Sequence, residues 1–424
     1  MARGHALRGG LVSVFESGVF NRGSFLSGLY LHIPFCERKC VYCSFYSVET
    51  LDQKERFLRA LVREIDMRAD ALADDPDAPE RYSTIFFGGG TPSILSPEEL
   101  ERIVEALRRR FVIAEDAEFT MEANPGALTT DWLEGYRALG VNRMSFGVQS
   151  FHDDELKFLS RIHSADEARA SIRAARGVLE NVSLDLIFAL PGQSVERWRE
   201  NLREAVALET VHVSAYSLIF EEGTPLNAMK LKGTVRPAPE DDEATMYAMT
   251  VEALGAHGFS QYEVSNYARP GRECRHNLGY WERRSYISFG PSAHAMKRGH
   301  AGDVRWANVS NIGAYLAAVE QDRLPVATTE HVTSEVAMEE LVMLGLRSSG
   351  IDLAEFRRLT GEDLVERAPA VIGRMLDGGY AAISPERLVL NAEGYIFADR
   401  FAFELIDAVE RVTPTTVERR EIPS

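Results

Sequence analysis

Short apolar runs alternate with longer amphipathic stretches from residue 29 onward. The runs predict buried strands, and apolar residues three or four positions apart predict helices between them. The predicted strands are 29–33, 84–87, 118–122, 143–147, 182–188 and 211–218. Six successive strand–helix units predict an α/β fold in which a parallel sheet curls into a partial (β/α)6 TIM-like barrel.

The pattern changes near residue 325. Helices are predicted at 334–347, 353–360 and 366–377, followed by short strands at 380–384 and 387–391. This order predicts a small winged-helix-like α+β domain. We therefore expect four parts: a loose N-terminal extension or misplaced start over 1–27, a barrel domain over 28–325, the C-terminal domain over 326–412 and a tail over 413–424.

Composition narrows the class of protein. With 424 residues, 45% of them hydrophobic, the chain can form one large core and a smaller module. The net charge of −17 argues against general affinity for nucleic acid or anionic membrane. No run is apolar enough to predict a membrane span. Four cysteines in a chain of this length do not suggest a disulfide framework, so we expect a reducing, cytoplasmic setting.

Three of the cysteines are clustered near the start. Cys36, Cys40 and Cys43 have the spacing Cys-x3-Cys-x2-Cys. Three thiolates can bind three irons of a 4Fe-4S cluster and leave the fourth iron open, and the amino and carboxylate groups of S-adenosylmethionine suit an open iron. Two alternatives remain: a zinc site completed by His32 or a distant residue, or three ordinary reduced thiols.

Further polar residues fall at the predicted strand ends, where ligands bind in parallel sheets. The glycine run 88–90 could bind an anion through its N–H groups or simply allow a tight turn. Glu122 could hold an ammonium or a ribose hydroxyl, or cap its turn. Gln149 and Asp185 could equally cap strand ends, and Arg161 could form a helix-surface salt bridge.

Five separated motifs give a resemblance to the oxygen-independent coproporphyrinogen oxidase family of radical SAM proteins. They lie at 32–43, 86–92, 145–151, 185–192 and 222–225, and the resemblance covers roughly 28–405. It implies a 4Fe-4S cluster on Cys36, Cys40 and Cys43 and bound S-adenosylmethionine. The residues implied to contact these cofactors are Tyr30, Tyr42, Gly89, Gly90, Thr91, Glu122, Gln149, Arg161 and Asp185.

Two features resemble the haem-chaperone branch of that family more than its oxidases. Phe45 stands where the oxidases usually carry a further cysteine, and the oxidases' N-terminal segment is not recognisable in 1–27. Residues 276–281, His-Asn-Leu-Gly-Tyr-Trp, resemble the His-Asn-x-x-Tyr-Trp signature of the chaperone branch. Members of that branch bind haem and are thought to pass it to respiratory haem proteins.

The haem-binding segment lies within the predicted barrel domain. An imidazole can ligate iron, and flat aromatic side chains suit a macrocycle. The candidate haem residues are His276, Asn277, Tyr280 and Trp281. Alternatively, the two aromatic residues belong to the core while the other two hydrogen-bond a loop. Cys274 and His294 are further candidate ligands, and the sequence does not choose among them.

The resemblance implies a haem chaperone that carries the cluster and exchangeable S-adenosylmethionine and delivers haem to an acceptor protein. Any membrane association would come through that acceptor, and no catalytic residue is assigned. One alternative is a radical SAM enzyme acting on a tetrapyrrole, as an anaerobic coproporphyrinogen III oxidase, a methyltransferase or a haem ring-opening enzyme. Another is a DNA-associated metalloprotein, which the acidic C-terminal domain disfavours.

Overall fold

The computed structural model of the chain describes residues 27–126 and 128–410. Of the extension expected over 1–27, residues 1–26 lie outside these ranges, whereas Ser27 is the first residue of a strand. The tail expected over 413–424 also lies outside them.

The described residues form fifteen strands and sixteen α-helices. The strands are β1 (Ser27–Ile33), β2 (Tyr82–Gly89), β3 (Ile113–Ala123), β4 (Arg143–Gln149), β5 (Asn181–Phe188), β6 (His212–Ser217), β7 (Ser260–Gln261), β8 (Asn266–Ala268), β9 (Tyr286–Phe289), β10 (His294–Lys297), β11 (Asp303–Asn308), β12 (Val326–Val332), β13 (Ile351–Asp352), β14 (Ala381–Ile383) and β15 (Arg387–Leu390). The helices are α1 (Lys54–Leu72), α2 (Pro97–Arg110), α3 (Thr130–Ala138), α4 (Asp153–Phe158), α5 (Ala165–Val178), α6 (Val195–Ala207), α7 (Pro225–Leu231), α8 (Glu240–Gly255), α9 (Arg275–Trp281), α10 (Ile312–Val319), α11 (Ser334–Leu346), α12 (Leu353–Thr360), α13 (Leu364–Arg367), α14 (Pro369–Asp377), α15 (Ala392–Tyr395) and α16 (Ala398–Glu410).

Strands β1 to β6 lie side by side in chain order, and every neighbouring pair is parallel. Helices connect them, and side chains such as Phe57, Ile103 and Trp198 pack into one continuous core around the sheet. The predicted run of six strand–helix units is therefore confirmed. Because the strands are parallel, their carboxyl ends all lie at the same end of the barrel. Ligand sites form at this end in such folds.

The sheet continues beyond the six predicted strands. Strand β9 pairs with β1 in parallel, and β10, β11 and β12 follow in antiparallel order. At the other edge, β8 and β7 pair antiparallel next to β6. Since β12 (Val326–Val332) belongs to this sheet, we propose that the two domains divide after residue 332 rather than after residue 325.

The C-terminal residues form a second core of their own. It is built on helices α11, α12, α14 and α16 and the three-stranded sheet β13-β15-β14, with Phe356, Met375 and Leu405 buried at its centre. The helix predicted over 366–377 is interrupted, because Pro369 has no N–H to continue α13 and instead starts α14. Helices α15 and α16 have no counterpart in the predicted elements.

The C-terminal domain contacts the barrel domain at two separate places. At one, the N–H of Val264 in the β7–β8 turn donates to the carbonyl of Arg347 at 2.9 Å. At the other, the buried guanidinium of Arg283 pairs with Glu340 on α11 at 3.0 Å. No helix of the described chain combines the length and apolarity needed to cross a bilayer.

Candidate cofactor cavity

A cavity of about 450 Å³ opens at the carboxyl ends of the barrel strands. This volume lies in the range of small-molecule sites in proteins. All but one of the residues expected to contact the cluster or S-adenosylmethionine line it: Cys36, Cys40, Tyr42, Cys43, Gly89, Gly90, Thr91, Glu122, Gln149, Arg161 and Asp185. The parallel topology therefore brings together side chains that are up to 149 residues apart, from Cys36 to Asp185.

The cysteine loop is anchored by the glycine run at the end of β2. The N–H of Gly90 donates to the carbonyl of Ile33 at 2.8 Å, and the N–H of Thr91 donates to the carbonyl of Phe35 at 2.7 Å. A Cβ at Gly90 would lie 2.6 Å from the Phe35 oxygen. The close approach of two backbones explains why glycine is needed there.

The three thiols differ in exposure but line the same cavity. Cys36 is 9% exposed and accepts a hydrogen bond from the Thr91 hydroxyl at 3.6 Å, whereas Cys40 and Cys43 are half-buried. Burial raises the pKa of the Cys36 and Cys43 thiols. Without metal these two residues are therefore neutral thiols, and binding iron would release their protons.

The three cysteines line one cavity without gathering around a single point. A zinc ion needs its sulfur ligands about 2.3 Å from one point. Among the described residues, no three His, Cys, Asp or Glu side chains gather closely enough to hold one metal ion. A cluster instead binds each thiolate at a different iron, and three cysteines leave the fourth iron open.

Arg161 links the cysteine loop to the end of β4. One terminal nitrogen lies 3.4 Å from the Cys40 sulfur, and the other donates to the Asn124 side chain and to the Gly147 carbonyl, each at 2.6 Å. The side chain of Asn124 also donates to the Thr91 hydroxyl at 3.1 Å. The guanidinium therefore places a fixed positive charge beside the thiols, where it can pair with a ligand carboxylate.

Two carboxyl groups face the cavity, Glu122 from β3 and Asp185 from β5, and β4 lies between these two strands. Burial, and to a smaller extent the nearby Asp185, raises the pKa of Glu122 to about 8. Burial also raises the pKa of Asp185, against hydrogen bonds from the hydroxyls of Ser214 and Ser145. Because their charged forms are costly without a partner, both groups favour a ligand that offers a cation or hydroxyl donors.

Gln149 lies at the end of β4 with a left-handed backbone, φ 70°. A Cβ at Gly147 would lie 2.9 Å from the Gln149 amide nitrogen and 3.3 Å from Arg161. Glycine at position 147 therefore leaves room for both polar side chains beside the cavity.

Among the residues expected to contact the cluster or S-adenosylmethionine, only Tyr30 does not line the cavity. Its ring stacks on Phe86 at 6.1 Å and on His276 at 6.3 Å, and its hydroxyl lies 3.3 Å from the His32 imidazole. Burial, with a smaller contribution from Glu122, raises its pKa. Tyr30 therefore lies inside the barrel, between the cavity and α9.

The predicted haem-binding segment forms α9 at the amino end of the barrel, opposite the cavity. Both imidazole nitrogens of His276 are hydrogen-bonded, Nδ1 to the Thr84 hydroxyl at 2.7 Å and Nε2 to the Tyr280 hydroxyl at 2.8 Å. The ring stacks on Phe86 at 4.9 Å, and burial lowers its pKa to about 3. His276 and Tyr280 are therefore bound to each other and to β2.

Glu118 fixes the start of α9. Its carboxylate accepts the N–H groups of Arg275 and His276 at 2.9 and 3.0 Å, and the Cys274 thiol lies 3.6 Å away. Cys274 is fully buried, which raises its pKa to about 12. Asn277 and Trp281 are half-buried on the same helix.

His294 lies elsewhere in the structure. It begins β10, is exposed, and is close enough to His32 to influence the charge of that ring. The three candidate haem ligands therefore lie in two different places, and only His294 is exposed.

Several residues that line the cavity were not predicted from the sequence. Asn124 joins Arg161 to Thr91. Tyr216 near the end of β6, and Leu218 and Ile219 directly after it, also line the cavity. A polar residue directly after a buried strand was the available signal for Asn124. Tyr216 and Leu218 belong to the end of the strand predicted over 211–218, and Ile219 follows it. None of the three is a charged residue or a cysteine that would have marked a site.

Comparisons with known proteins identify the class. The family model of the Radical SAM superfamily matches residues 30–205, and the model of the HemN C-terminal domain matches 332–397. The solved structure of coproporphyrinogen III oxidase (HemN) of Escherichia coli superposes with a TM-score of 0.74 at 20% identity, over 90% of each chain. The protein therefore has the TIM-like radical SAM fold with a C-terminal domain, as predicted.

Relatives at higher identity define the family within this class. The haem chaperone HemW of Bacillus subtilis is 36% identical over 379 residues, or 88% of this chain and 97% of that protein. HemW of Mycobacterium tuberculosis is 38% identical over 381 residues, or 88% and 93%, and HemW of Escherichia coli is 41% identical over 277 residues, or 63% and 69%. The chain belongs to the HemW family.

Proposed function

We propose that this protein binds haem and delivers it to an acceptor protein, while carrying a 4Fe-4S cluster and exchangeable S-adenosylmethionine. The likeness to the HemW chaperones supports this most strongly, because it spans 97% of the Bacillus protein and includes both domains. Phe45, in place of the additional cysteine of the oxidases, supports a chaperone over an oxidase.

The cavity supports the cofactor part of the proposal. Cys36, Cys40 and Cys43 would hold the cluster, which when bound supplies one-electron chemistry and an iron with an exchangeable position. Arg161 would pair with the carboxylate of S-adenosylmethionine, while Glu122 would accept its ammonium or hydroxyl donors. The remaining cavity residues proposed to contact S-adenosylmethionine are Tyr42, Gly89, Gly90, Thr91, Gln149 and Asp185.

The acceptor is proposed to be a respiratory haem protein. This protein would deliver haem to it from the cytoplasmic side. The four cysteines are all unpaired, which suits a reducing compartment. Association with a membrane would come through the acceptor alone.

A transfer assay tests this function. Anaerobically reconstituted protein is titrated with haem and then mixed with the apo form of a respiratory b-type cytochrome, with free haem as control. Haem should saturate near one per chain and reach the cytochrome faster from the complex than from solution. In parallel, coproporphyrinogen III with S-adenosylmethionine and reductant should give no protoporphyrinogen. Haem binding that does not saturate, or clear turnover in the second assay, would overturn the proposal.

A further inference from the structure

The amino end of the barrel has no room for a macrocycle. The space between α9 and the strands is about 10 Å³, enough for one water molecule. Cys274 and His276 are 0% and 3% exposed, and each has hydrogen-bond partners. Haem could reach these side chains only if α9 left the barrel.

The opposite end presents exposed apolar side chains beside the large cavity. Phe45 in the cysteine loop is 65% exposed and Ile219 after β6 is 64% exposed, and both line the cavity. Large apolar residues that remain exposed together at a cavity indicate a site for an apolar ligand.

Two cations lie at the same place. Arg38 and Lys39 line the cavity next to the cysteines. Neither side chain forms an ion pair within the part of the chain that the structure describes. In a chain with a net charge of −17, two adjacent unpaired cations favour a ligand with carboxylates. We call Arg38, Lys39, Phe45 and Ile219 the rim.

We propose that haem lies across the rim, with its porphyrin edge against Phe45 and Ile219 and its propionates paired with Arg38 and Lys39. This inference rests on the haem binding proposed above and names the place where haem binds. Haem has a flat apolar body, which suits the apolar side chains of the rim, and two carboxylates at one edge, which suit its two cations. Haem at the rim would cover the cavity, so haem and S-adenosylmethionine would influence each other's binding.

Haem titration of the full-length, anaerobically reconstituted protein tests the site. The double variants Arg38→Gln/Lys39→Gln and Phe45→Ser/Ile219→Ser should each raise the Kd about tenfold. Two exposed residues on and after α7, outside the cavity lining, provide matched controls. Leu231→Ser, at a position 80% exposed, and Lys232→Gln should leave the Kd within about twofold.

A change of ligand tests the charge pairing without relying on any variant. Iron protoporphyrin dimethyl ester lacks the propionate charges, so wild-type protein should bind it about tenfold more weakly than haem. The Arg38→Gln/Lys39→Gln variant should bind haem and ester equally. If wild-type protein binds haem and ester equally, the rim site is wrong although haem binding stands. If wild-type protein does not bind haem at all, the proposed function itself fails.

Discussion

Arg161 lies with one guanidinium nitrogen 3.4 Å from the sulfur of Cys40. Its other terminal nitrogen is held by Asn124 and by the carbonyl of Gly147. The planar group thus joins the cysteine loop to the end of β4 and orients a positive charge toward the cavity. A lysine has one donor centre and cannot make this set of contacts at once.

We therefore expect Arg161→Lys to weaken S-adenosylmethionine binding by about tenfold, since the positive charge would no longer be oriented toward its carboxylate. Equilibrium binding to the reconstituted protein measures this. The control is Arg169→Lys on α5, which pairs with Glu204 at 2.9 Å outside the cavity lining. Equal affinities for wild-type protein and Arg161→Lys would show that the guanidinium does not bind the carboxylate.

The cysteines give a second prediction. Replacing Cys36, Cys40 or Cys43 by Ala should each lower the iron content of reconstituted protein to near background, because two thiolates no longer hold the cluster. The chain offers its own control in Cys274, which is buried at the opposite end of the barrel. Cys274→Ala should keep its iron. If any of the three variants keeps full iron content, that cysteine is not a ligand.

Gly90 gives a third prediction, on stability. A methyl group there would lie 2.6 Å from the Phe35 oxygen and 2.9 Å from the Ile33 oxygen, and both atoms belong to backbone. Gly90→Ala should therefore cost about 3 kcal/mol and reduce cluster assembly. Gly177→Ala on α5 is the control, because a Cβ at this position would have no neighbouring atom within 4 Å. It should stabilise the protein by about 0.5 kcal/mol. Chemical unfolding measures both, and similar effects would contradict the steric argument.

The raised pKa of Glu122 predicts a pH dependence. Between its ordinary value of 4.5 and about 8, the folded state keeps a proton that the unfolded chain has released. The folded state therefore loses stability as the pH rises through this window. Glu122→Gln keeps the neutral form, so the cofactor-free variant should melt about 3 °C above wild type at pH 9 and within about 1 °C at pH 5.

Thermal unfolding at the two pH values checks this prediction. Glu134→Gln, at an exposed position on α3, is the control and should show the same difference from wild type at both. A Glu122→Gln effect that does not change with pH would mean that the carboxyl group is ionised in the empty cavity.

The regular part of the fold followed from the sequence because each of β1 to β6 contains a largely buried apolar run, with helices between the strands. The antiparallel strands β10 to β12 did not follow. Strand β12 is mostly exposed, with Thr328, Thr329, Glu330 and His331 on its surface, so its sequence lacks an apolar run. Its position depends on pairing with β11, which only the tertiary structure determines.

The cavity followed from the sequence because several motifs, each ambiguous alone, fall at the carboxyl ends of strands that a parallel sheet brings together. The aromatic and histidine residues of 276–281 lack this support from neighbouring motifs. His276 and Tyr280 serve equally well as haem contacts or as a hydrogen-bonded pair beneath the sheet, and local sequence does not distinguish these uses. The contact with Thr84, 192 residues away in the chain, decides that they close the barrel in this structure.

Mössbauer spectroscopy of anaerobically reconstituted, ⁵⁷Fe-labelled protein tests the central claim most directly. The claim is that three cysteines bind the cluster and leave one iron open at the cavity. We predict four irons per cluster, of which one changes its isomer shift when S-adenosylmethionine is added while three do not. Four irons that all remain unchanged, or a site that takes up zinc in place of iron, would contradict it.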